Sequence, residues 1–152
     1  MANEQIKITG SVQVTLTGPD GKVKAAHTNP NLVVTVGKDF LAAWLTEDTQ
    51  STKFMNYVAL GTSNTAASAG QTALVAELSG GGYSRVDGSL TSAANVWVNT
   101  ATFNPGNGTG TLQEVGLFSA STSGTMFARQ VFGPYGKAAG DTLSIVWSLT
   151  LA

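Results

Sequence analysis

The sequence predicts a mainly β protein, a β-sandwich or jelly roll of about 8–10 strands with one or two short helices. Three observations carry this. Stretches near both ends of the chain alternate apolar and polar residues with period two. Turn-forming residues recur about every eight to twelve positions. Helical spacing is confined to two short windows, around residues 38–46 and 72–78.

In order, residues 6–16 place Ile6, Ile8, Val12, Val14 and Leu16 on one face, with Gly10 keeping register. The other face is Lys7, Thr9, Ser11, Gln13 and Thr15, the mark of a half-buried strand. Gly18-Pro19-Asp20-Gly21 reads as a turn, because Pro presets its own φ and Gly permits a positive one. Lys22 to His27 then returns as a hairpin partner, ended by Asn29-Pro30-Asn31. Leu32 to Val36 is a short β-branched strand. Phe40, Leu41, Trp44 and Leu45 share one helical face over 38–46, predicting a helix that lids an open end of the core.

Residues 46–53 read as a loop, Met55 to Leu60 as a strand and 62–70 as an exposed polar loop. Thr72 to Leu78 has the spacing of two helical turns, with Leu74, Val75 and Leu78 inward. Gly80-Gly81-Gly82 reads as a crossover between sheets. Tyr83 to Leu90 and Val96 to Phe103 read as paired strands. Asn104 to Gly110 holds the turn pair Asn107-Gly108, and three strands close the chain. The expected core gathers Ile8, Val12, Val14, Leu16, Phe40, Trp44, Leu117, Ile145, Trp147 and Leu149. A length of 152 residues fits one domain, read as 6–152 behind a flexible arm at 1–5.

Composition removes several kinds of chemistry. The chain has no cysteine and one histidine, His27, so thiolate and multi-histidine metal sites are not expected. Charged residues are 11% of the chain, against roughly 25% in an ordinary globular protein. The net charge is −1 and the eight Lys and Arg are scattered, so no phosphate-binding face is expected. Thr, Ser, Gly, Asn and Ala replace charge, giving a neutral surface of short side chains. No apolar run has the length of a membrane span, and Met1 to Gln5 lacks the pattern of a secretory signal. Synthesis in the cytoplasm is the expectation.

Few residues qualify for chemistry. Glu114 and Arg129 each lie inside an apolar run, and pairing of their strands would let carboxylate and guanidinium meet across the sheet. Arg85 is a second possible partner for Glu114. A glycosidase needs two carboxylates, and no second acid lies in this strand group, so a structural or interface ion pair is expected. Trp44, Trp97 and Trp147 read as core, leaving Tyr83 and Tyr135 as the aromatic candidates for sugar stacking. The remaining acids, among them Asp20, Asp39, Asp87 and Asp141, show no calcium-loop spacing. Gly80 to Gly82 is followed by no Lys-Ser or Lys-Thr and is not a phosphate loop.

The order of these elements also carries a resemblance. It runs from Asn31-Leu32-Val33-Val34, Gly37 and Phe40-Leu41-Ala42 through Tyr57 to Thr62, Thr72-Ala73-Leu74, Glu77 and Arg85. It is densest at Glu114 to Phe118, Ala128-Arg129, Lys137 and Asp141 to Leu151. This resembles the tailed-bacteriophage virion structural proteins described as head decoration or cement proteins, related to tail-fibre-like modules. The resemblance implies a non-enzymatic protein on the capsid surface that stabilises capsomer contacts. Its partners would be the major capsid protein and copies of itself, as dimer or trimer. No cofactor, nucleic acid, membrane or small-molecule substrate is implied. One compact unit with its own start Met favours a free-standing cement protein. The alternative is a tail-fibre, baseplate or tail-adaptor protein, including a carbohydrate- or receptor-binding module. Contacts with the shell are expected from the arm at 1–5 and the loops at 62–70 and 104–110.

Overall fold

The two alternating stretches pair with each other. In the computed structural model, which describes residues 7–44 and 55–152, β1 (Ile8–Thr17) runs antiparallel to β10 (Thr142–Leu151) over its full length. On the other side of β1 lies β2 (Val23–Pro30). On the other side of β10 lie β7 (Val96–Phe103) and then β6 (Ser89–Ala93). The order of this first sheet is β2-β1-β10-β7-β6. The second sheet is ordered β3-β9-β8-β4-β5. Its strands are β3 (Leu32–Val33), β4 (Tyr57–Gly61), β5 (Val86–Asp87), β8 (Gly110–Phe118) and β9 (Met126–Lys137).

The described residues form a β-sandwich of two antiparallel five-stranded sheets with one short helix, α1 (Thr35–Trp44). Val12, Val14, Leu16, Ile145 and Trp147 of the first sheet meet Val58, Leu60, Val115, Leu117 and Phe132 of the second in one continuous core. Of the expected core, Val12, Val14, Leu16, Leu117, Ile145, Trp147 and Leu149 are buried there. Ile8, Phe40 and Trp44 are only half-buried, because they line the open end of the sandwich instead of lying between the sheets.

Several local expectations are corrected. The helix begins at Thr35, so the strand before it is cut to Leu32–Val33. Gly37 lets the helix lie on β9: it packs against the backbone of Phe127, where a side chain would collide. Pro30 ends β2 instead of breaking it earlier, which an edge strand tolerates because the missing N–H faces outward. Residues 72–78 form no helix; they follow an irregular path with bends, and one isolated bridge joins Glu77 to Gly61. The expected strand 83–90 is two strands, β5 in the second sheet and β6 in the first. The chain changes sheets at Gly88, not at Gly80 to Gly82. Gly88 lies against the buried amide of Asn99, in space that a Cβ would occupy, and its N–H bonds Asn56 O at 2.7 Å. Asn99 fixes this crossover by donating to the carbonyls of Met55 and Asn56. The expected arm at 1–5, Ile6, Leu45 and the loop at 46–53 lie outside the described residues.

Candidate functional site

The two sheets treat their outer faces differently. On the first sheet, β1 and β10 alternate between buried and solvent-facing residues. On the second, residues 114–118 of β8 and 126–129 of β9 are buried without alternation. Such runs arise when both faces of a strand are covered. The cover is residues 62–78, which cross the outer face of the second sheet as a strap. Leu74 is its apolar anchor and packs in a second buried cluster with Val34, Ala59, Phe118 and Met126.

Glu114 and Arg129 lie under the strap, both fully buried. Their strands are neighbours, with Glu114 opposite Val131 and Arg129 opposite Gly116. The Arg129 guanidinium donates to Glu114 Oε2 through Nε at 2.9 Å and Nη2 at 2.7 Å. The pair then binds the strap from both sides. The Glu114 carboxylate accepts the N–H groups of Val75 at 3.1 Å and Ala76 at 2.7 Å. Arg129 Nη1 donates to the carbonyl of Thr65 at 2.9 Å and to Gln71 Oε1 at 3.1 Å. A buried charge is tolerated only when it is paired and its remaining hydrogen-bonding capacity is used, and this pair meets both conditions. Gly61, directly opposite Glu114, supplies the room: a Cβ there would fall on the carboxylate.

Arg85 does not join this pair. It forks onto Glu77, with Nε to Oε1 at 2.7 Å and Nη2 to Oε2 at 3.0 Å. Its Nη1 donates to the carbonyls of Ala120 and Ser123 in the β8–β9 turn. The guanidinium lies 3.6 Å from the centroid of the Phe118 ring, a cation–π contact. Arg85 thus fastens the far end of the strap to the hairpin. The pairing of Arg85 with Glu77 was not expected from the sequence; the one available signal was an acid eight residues before an Arg.

A third cluster closes the connection between β9 and β10. Lys137 is buried in spite of its charge and donates to the main-chain carbonyls of Asp141 at 2.6 Å and Asn104 at 3.2 Å. Burial pushes its ammonium below the usual lysine range, partly offset by Asp141. The Asp141 carboxylate accepts Lys24 Nζ at 2.7 Å and the Ala138 N–H at 2.9 Å. Those hydrogen bonds, that from Lys24 first, hold its carboxyl below the usual carboxylate range. Lone charges at positions 137 and 141, either side of a small-residue turn, were the sequence signal.

The loops expected to contact a shell are largely exposed but well tied. Residues 62–70 are held by Arg129 and by the bond from Thr35 N to Ala69 O. Residues 104–110 are held by Gly106 N to Ala139 O and Gly108 N to Gly82 O. Tyr83 donates its hydroxyl to Thr109 O, and Tyr135 packs edge-on against Phe132, so neither ring is a free platform. Trp97, expected in the core, is instead half-buried. With Trp44, Phe40, Leu41 and Leu149 it lines a mostly apolar cavity of about 460 Å³ at the open end of the sandwich. His27 is exposed on β2, and no group of metal-ligating side chains occurs among the described residues. No helix among them is long and apolar enough to cross a membrane.

No protein-family model, curated protein or solved structure matches the chain.

Proposed function

We propose that this protein is a structural adhesion module of a tailed-phage virion, acting as a head decoration (cement) protein that binds the outer surface of the capsid. The observation that carries this reading is where the ionisable groups go. Glu114–Arg129, Glu77–Arg85 and Lys24–Asp141 are all internal ties between segments of the sandwich. They stiffen the block and leave broad neutral faces. A part installed in many copies on a shell needs rigidity and little repulsion between copies, and multivalent contact lets modest interfaces add to firm attachment. The resemblance in the order of elements points the same way.

A second reading, a tail-associated receptor-binding module, is favoured by one observation. Trp44 and Trp97 line the open-end cavity, where a sugar ring or an apolar group could lodge.

Co-sedimentation with expanded, DNA-free heads of the phage encoding the gene separates the two. Saturable pelleting in many copies per head supports the cement reading. Failure to pellet, together with binding on a glycan array that Trp97→Ala abolishes, supports the receptor-binding module. Failure in both assays overturns both.

A further inference from the structure

Among the described residues, no segment buries the outer face of the first sheet. The register places Thr28, Gln13, Val146, Thr100 and Ser89 in one row across all five strands. The parallel rows on the same face hold only Thr, Ser, Val, Ala and Pro, and none of these outward side chains is buried. No Asp, Glu, Lys or Arg stands in any row. Charge appears only at the rim: Lys7 lies just beyond the end of β1, and Lys24, bulged out of register with β1, is tied to Asp141. Depletion of charge at the centre of a face is one feature that this sheet shares with protein interfaces.

We propose that this face is the docking surface for a second copy of the chain, packed sheet on sheet across a two-fold axis. Three properties select a copy of itself over another partner. A two-fold contact sets a patch against itself, so any charge near the axis meets its own like charge; this face has none. Hydroxyl groups both donate and accept, so Ser and Thr rows are complementary to themselves without a fixed polarity. Short or β-branched side chains lose little rotamer freedom when covered.

The area also suffices. Five strands of this length cover a footprint of about 650 Å², so a pair would bury about 1,300 Å², within the range of stable specific interfaces. The two sheets would pack nearly aligned, at about 30°, making a four-layer stack. The proposal does not depend on the capsid reading: the dimer is expected in free solution, with no shell present.

The test is analytical ultracentrifugation of the purified chain, with Val146→Lys and Thr100→Lys as face variants and Val75→Lys as the control. Val75 lies on the opposite side of the molecule and is 51% exposed. The wild type and V75K should sediment as dimers at about 100 μM. Each face variant should weaken dimerisation by about 100-fold or more, with an unchanged circular dichroism spectrum, because a charged ammonium would be desolvated against an uncharged face. Thr100 is exposed, so T100K decides the matter if V146K fails to fold. A monomeric wild type at that concentration overturns the proposal and leaves the face to solvent or a different partner. A dimer that survives both face variants overturns it as well, because the contact then lies elsewhere.

Discussion

The two outer faces of this sandwich solve the same problem in opposite ways. The second sheet carries apolar residues on both sides and needs a cover, which the strap at 62–78 provides. The first sheet is apolar on one side only and stays open. The covered face contains the buried ion pair, and the strand rows of the open face contain no charged side chain. A buried pair stabilises little against a well-packed apolar alternative, but it has direction. Glu114 accepts only where backbone N–H groups arrive, and Arg129 donates only where carbonyls lie, so the pair fixes the path of a segment that has little regular structure of its own. The open face needs no such device.

The strongest way to break this difference is to remove one half of the pair. Glu114→Ala leaves a buried guanidinium without its counter-charge and strips the Val75 and Ala76 N–H groups of their acceptor. The expected loss is about 3–5 kcal/mol in chemical denaturation. Replacing both partners, as Glu114→Leu with Arg129→Met, should cost less than the sum of the two single changes, because no charge is then stranded. Additive losses would mean that the two side chains do not act as a unit.

Next in size is the apolar anchor. Leu74→Ala should cost about 2–3 kcal/mol, toward the low end for a buried leucine because the strap can partly close the gap. The readout that separates strap from sandwich is amide exchange. Val75 and Ala76 should lose protection while the β1–β10 ladder keeps it. Uniform loss over both sheets would show that the strap is part of the cooperative core.

Much of this contrast was written in the sequence, in the period of the apolar residues. β1 and β10 alternate; the alternation of β1 marks both its buried and its open row, and that of β10 marks its buried row. Glu114 and Arg129 were conspicuous because they interrupt continuous apolar runs, and a charge in such a run needs a partner. What covers the second sheet was not legible. The spacing of Leu74, Val75 and Leu78 mimics two helical turns, but the backbone N–H groups of Val75 and Ala76 go to a carboxylate 38 or more residues away instead of to a helix. Local periodicity carries no record of such a distant acceptor. The same limit hid Gly88, whose role depends on Asn99 from another strand, and the choice of Glu77 by Arg85.

The tie between the sheets should show itself in acid. Asp141 has a depressed folded-state pKa, so its contribution is complete above the unfolded value of 3.8 and is lost as pH falls through the folded value. Stability should therefore fall as pH drops below about 4, and Asp141→Asn should flatten that part of the curve. Lys137 acts in the other direction. Burial lowers its pKa, so between the folded value and 10.5 the unfolded chain binds more protons and stability rises with pH. Lys137→Met should remove that rise. Denaturation midpoints across the pH range test both signs. An acid limb in D141N as steep as the wild type would place the responsible carboxylate elsewhere.

The smallest effect belongs to the open face, and its smallness is informative. Thr100 is exposed on β7, beside the central strand of the first sheet and between Val146 and Ser89, with no ionisable group in its row. In a dilute, monomeric sample, Thr100→Lys meets only water and its long side chain can leave the sheet. Its cost should be within about 0.5 kcal/mol, the usual range for a surface substitution. The same change at high protein concentration should cost much more, because the wild type then gains association free energy that the variant lacks. A concentration-dependent gap between the two melting curves would show that the face is open in the monomer and occupied in the assembly. A gap of more than about 1 kcal/mol that is already present at the lowest concentration would mean that the face is covered within the single chain, and the contrast between the two sheets would fail.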